Sequence, residues 1–157
     1  MITTLTFVPV TGSTITLNTD PPGFPVEEYD CTVQDRVDMS RNRMQAQGVW
    51  PTLPYEGGME IRMAGHIIGT DSNDYTARRH ALVAAWRRDT GPTARKHGTL
   101  VVRYDGETED WNADVVVTAF AAPRGGLSPA ISPWSAVFFS WLPYFIGAST
   151  GNHHYDG

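Results

Sequence analysis

The chain has 157 residues, a net charge of −5 and one cysteine, Cys31. That length suits a single domain with its own core, and the acid excess argues against a general nucleic-acid binder, which needs cations to displace counterions from phosphate. A lone cysteine excludes an intrachain disulfide and any multi-cysteine zinc site.

The opening MITTLTFVPV lacks the basic start and apolar run of a secretory leader, and Ile2 to Val10 read as a first strand. Thr14 to Asn18 form a second short alternation after the Thr11-Gly12-Ser13 turn, which predicts an opening hairpin. Asp20-Pro21-Pro22-Gly23 breaks the chain, and Val26 to Val33 resume as a strand with Tyr29, Cys31 and Val33 on one side. From Gln34 to Pro54 no period of two or 3.6 is sustained, and Arg36, Arg41 and Arg43 lie among amides. An irregular run of about 20 residues in a compact domain points to a functional arm. Two readings stay open: an extended hairpin on its own sheet, or an arm whose apolar residues Met44, Val49 and Trp50 cover a neighbouring subunit. On the second reading Arg41, Arg43, Met44, Val49 and Trp50 are the subunit-interface residues.

Met59, Ile61, Met63, Gly65 and Ile67 then alternate with Glu60, Arg62 and His66, which predicts a strand with one buried face. Asp71 or Ser72 caps a helix over about residues 72–88, with Asp74 placing negative charge at its N-terminus. Tyr75, Leu82, Ala85 and Trp86 share its apolar stripe, Arg78, Arg79, Arg87 and Arg88 reach solvent, and Asp89-Thr90-Gly91-Pro92 ends it. Thr99 to Tyr104 and Trp111 to Phe120 predict a hairpin across Asp105-Gly106. Ala121 to Pro133 read as a loop, and Trp134 to Phe145 as a last strand, apolar on both faces and so central or at an interface. The polar tail, 147–157, is expected to be poorly ordered unless a partner holds it.

These elements predict a mainly β domain over 1–146, a sandwich or barrel of about seven strands with one flanking helix. Ile61, Leu82, Trp86, Val102 and Trp111 are its expected core anchors. No repeat is visible, and AVFFSWLPYFIGA is too short and interrupted to span a bilayer, so a soluble protein is expected.

The chain carries no phosphate loop, nucleophile elbow, helical His pair or calcium loop. His66, Asp71 and Asp74 lie close in sequence, but the acids are accounted for by the helix start. His153, His154 and Asp156 sit at a chain end that offers a metal no outer support. Arg87, Arg88, Arg95, Lys96 and His97 form a basic cluster partly explained by the helix C-terminus. The aromatics from Trp134 to Phe145 suit a core or interface better than a sugar platform. No catalytic residue, cofactor or metal is expected.

Gly48-Val49-Trp50-Pro51, Tyr55 and then MEIRMAGHIIGTDSNDYTARRHALVAAW resemble the N-terminal domain of distal tail proteins of long-tailed bacteriophages. The closing Leu142-Pro143-Tyr144-Phe145 resembles that family's last-strand phrase, with Leu142 in place of the usual acid. The likeness lies in the order of parts: arm, strand, helix, hairpin, last strand. It implies a tail-tube-like β-sandwich, six copies of which form a ring joining the tail tube to the baseplate or tail tip, with a channel through which DNA passes unbound. It also implies a non-enzymatic virion protein whose partners are itself and neighbouring tail proteins. Many relatives carry a further carbohydrate-binding-like domain, and this chain ends before one is expected. The rival readings are a small glycan-binding β module and another tail tube or completion subunit.

Overall fold

The computed structural model describes residues 2–35, 41–42, 49–50, 56–87, 95–124, 129–147 and 153–154. The strands are β1 (Ile2–Pro9), β2 (Ile15–Leu17), β3 (Val26–Asp35), β4 (Arg41–Asn42), β5 (Val49–Trp50) and β6 (Glu56–Ile68). After the single helix α1 (Ser72–Trp86) come β7 (His97–Tyr104), β8 (Trp111–Ala121), β9 (Ile131–Ser140), β10 (Phe145–Gly147) and β11 (His153–His154). Among the described residues the chain is mainly β, with one helix on a large antiparallel sheet whose order is β2-β1-β7-β8-β9-β6-β3. β10 pairs with β8 and β11 pairs with β10, off that path.

The sheet curls. β1 and β9 are separated by β7 and β8, which in a flat sheet would hold them roughly 14 Å apart, yet the Phe7 and Phe138 rings lie 5.6 Å apart, centroid to centroid. The concave face therefore closes on itself, and α1 plugs it: Trp86 packs its indole against Trp134 at 5.2 Å and edge-on to Phe138 at 5.8 Å. Ile61, Leu82, Trp86 and Val102 are fully buried in this one core. Trp111 is not: it is half-buried at the core's edge. Being the first residue of β8, it has no further turn of sheet to cover it.

The helix start uses the acids of its turn. Asp71 is the cap and accepts from the Asp74 amide at 2.8 Å, while the Asp74 carboxylate accepts from the Thr70 amide at 2.8 Å and from Arg78 Nε at 2.9 Å. Tyr75 Oη donates to buried Ser132 Oγ at 2.6 Å, fixing this end of α1 to β9. A side chain at Gly69 would collide with the Tyr75 backbone, its Cβ lying 2.5 Å from the amide nitrogen, so the strand-to-helix turn is tight enough to require glycine.

β9 is central in the sheet, between β8 and β6; it buries Trp134, Ala136 and Phe138 on one face and leaves Val137 and Phe139 only partly covered on the other. It begins at Ile131, earlier than proline-based reasoning places it. The His66 amide bonds outward to Pro25 O, so its β9 partner Pro133 turns its missing donor toward β8, which has no pairing with β9 beyond Ser135. β9 also stops sooner, at Ser140; Trp141 to Tyr144 interrupt it before β10 resumes beside β8. The tail is not free over its whole length, because His153–His154 pair with Phe145 and Ile146, and the His154 ring sits 4.9 Å from Tyr104 and 5.1 Å from Trp111.

Candidate functional site

The arm is a hairpin extension of two adjacent sheet strands. The β3–β6 ladder shifts register after Val33 and ends on the pair Asp35 and Glu56; six positions further in sequence on each side, Arg41 pairs with Trp50 and Asn42 with Val49, in the register of that last pair. β4 and β5 form a two-stranded sheet of their own. Backbone pairing needs no alternation of side chains, and alternation marks only a ribbon with one buried face. The absence of a period at 34–54 therefore did not exclude strands there. Of the interface residues named from sequence, Arg41, Val49 and Trp50 fall in this ladder, whereas Arg43 and Met44 lie outside the described residues.

The root of the arm adjoins an exposed apolar patch. Met59, at the base of β6, pairs with Ser140, the last residue of β9. Immediately after it come Trp141, 72 % exposed, and Leu142, also exposed. Phe138 points into the core, so Phe139 lies on the opposite, convex face, where it meets Trp141 edge-on at 5.0 Å and pairs across the sheet with Val116. A side chain at Gly58 would reach within 2.3 Å of Ser140 O and strike the Phe139 ring, so backbone and aromatic close up only because that position is glycine.

Beside this patch runs a groove of about 400 Å³, lined by Asn112, Asp114, Ser140, Trp141, Leu142, Tyr144 and Ile146. Its lining is mainly apolar, with one acid, Asp114. Asp114 is exposed and takes a hydrogen bond from Thr99 Oγ1 at 3.2 Å on one oxygen. In the β7–β8 connection before it, Arg103 pairs with Asp110 at 2.8 Å and Trp111 Nε1 donates to Glu107. Residues 104–123 hold five acids and no lysine or arginine. Sequence reasoning valued these aromatics as core or interface and missed the groove, because the end of β9 at Ser140 leaves no periodic signal.

The other clusters do not assemble into chemistry. His66 Nδ1 lies 2.7 Å from Glu27, joining β6 to β3, while Asp71 and Asp74 are engaged at the helix start. Lys96, expected in an exposed basic cluster, is buried, with Nζ 3.5 Å from Thr11 Oγ1. It cannot share a surface with exposed Arg87, Arg95 and His97. Among the described residues no three His, Cys, Asp or Glu side chains converge as metal ligands, and no helix is long and apolar enough to cross a membrane. A second cleft, of about 450 Å³, lies between the facing edges of the curled sheet, with Leu5, Val26 and Tyr29 in its walls. Neither family models nor curated proteins give a match to this chain.

Proposed function

We propose that this chain is a non-enzymatic ring subunit of a phage tail tip, distal-tail-like, self-associating through its arm and linking the tail tube to the host-facing baseplate. The observation that carries the reading is the arm: a β4–β5 pair in the register of the last β3–β6 pair, whose root lies beside an exposed patch of Trp141 and Leu142. An arm rooted in this way reaches a neighbour from a rigid base, and a head-to-tail contact repeated through a closing rotation makes a ring. In that ring the chain's partners are copies of itself and the tail proteins above and below, with DNA passing through the bore; its place is the virion tail tip. The sequence resemblance to distal tail proteins supports the same assignment.

Sedimentation velocity tests it. The full chain is expected to sediment at several times the 17.3 kDa monomer mass. A variant in which an Asn-Gly turn replaces residues 36–55 keeps its β spectrum and sediments as a monomer. A full chain that stays monomeric at high concentration overturns the ring, and a truncated chain that assembles normally overturns the arm's part in it.

One observation favours a second reading, a glycan-binding module. Trp141 and Tyr144 share their groove with Asn112 and Asp114, and an aromatic face beside planar polar groups is sugar-binding chemistry. Glycan-array binding lost in Trp141→Ala, with the fold intact, would favour it.

A further inference from the structure

We infer that the groove beside Trp141 is the seat for the arm of a second copy of this chain, an inference that rests on the ring reading above. Three observations converge on that occupant. The first is charge. Residues 36–55 carry three arginines against one aspartate, a net of +2, which leaves −7 on the rest of the chain. The most acid-rich stretch of that remainder runs from Asp105 to Asp114; its last acid, Asp114, lines this groove, and the others lie before β8, between it and β7. Opposite fields of this kind orient two surfaces before contact and set which face meets which.

The second is the apolar match. The arm's sequence contains Trp50, Val49 and Met44, and the groove presents Trp141, Leu142 and Ile146, which are exposed. Contacts between copies are typically held by a few aromatic and arginine side chains in a desolvated centre, and both types are present on the arm. The third is valence. Asp114 gives one carboxylate oxygen to Thr99, and a carboxylate has lone pairs to spare for a planar guanidinium. Arm and groove are different surfaces of one chain, so each subunit both gives an arm and receives one; in the proposed ring the giver and the receiver are different neighbours, a heterologous contact.

The experiment measures self-association by sedimentation velocity and binding on a glycan array, with circular dichroism to verify folding. Trp141→Ala, at an exposed position, is expected to weaken self-association by about tenfold or more, as for a central aromatic. Asp114→Arg and the pair Arg41→Glu with Arg43→Glu each weaken it; combined in one chain they restore it, which a merely destabilised fold would not do. Mixing an Arg43→Cys chain with an Asp114→Cys chain under oxidation yields a disulfide-linked dimer.

Assembly that is unchanged in all these variants overturns the groove as the seat while leaving the ring reading intact. A wild-type chain that is monomeric throughout overturns the ring reading first. A disulfide formed within one chain that carries both cysteines, with none between chains, shows the arm folding onto its own groove and overturns exchange. Saccharide binding that is abolished by Trp141→Ala, with assembly untouched, makes the groove a sugar site and also overturns it.

Discussion

Trp86 is the residue on which the two halves of the core meet. It comes from the helix and touches the indole of Trp134, the ring of Phe138 and, at 6.4 Å, that of Phe120, so three aromatic contacts from β8 and β9 depend on it. Its Nε1 is buried without an acceptor among the described residues. Trp86→Ala removes volume the curled sheet cannot refill and is expected to cost about 3–5 kcal/mol in urea unfolding. Trp86→Phe loses less volume and also removes the unpaired N–H, whose burial costs about 1–3 kcal/mol. Its loss should therefore be less than half that of the alanine variant. Equal losses would show that the N–H has a partner.

The helix was among the elements most legible in sequence, because its start is written in local chemistry. Asp71 and Asp74 bond to each other's turn, and the Arg78 hydrogen bond, with help from the Thr70 amide, holds the Asp74 carboxyl below its ordinary 3.8. A depressed carboxyl stabilises the fold above the unfolded-state value and loses that contribution as pH falls through the folded one. Asp74→Asn is thus expected to be less stable than the parent near neutral pH, with the difference closing as pH falls below 3.8. A gap constant over that range would place the effect elsewhere. Strands with one buried face, such as Met59 to Ile67, were equally legible. The strand positions within the arm, the start of β9 across Pro133 and the break at Trp141 were not. Each depends on backbone pairing with a distant strand, which leaves no trace in the local order of apolar and polar residues.

Across the whole molecule a single apolar cluster runs from Leu5 in β1 to Phe145 in β10 and includes the helix. One shared core makes the domain one cooperative unit, so tryptophan fluorescence and far-ultraviolet dichroism should report one midpoint in urea. Two midpoints would mean that β10 and the tail unfold separately. Of the candidate site, the sequence contained the arm and the aromatics as separate items; their adjacency arises only because β6 pairs with β9 and brings Met59 beside Ser140. That pairing has a mechanical side. β6 is bonded along one flank to β3 and along the other to β9, and its N-terminal end is the root of the arm. Traction along β6 draws β3 with it, so the load passes to the β6–β9 ladder, whose hydrogen bonds lie perpendicular to the pull and yield together in shear, where a peeled edge would open one bond at a time. The domain thus holds its arm as a wall holds a tie-rod, along the direction in which a sheet best resists being pulled apart.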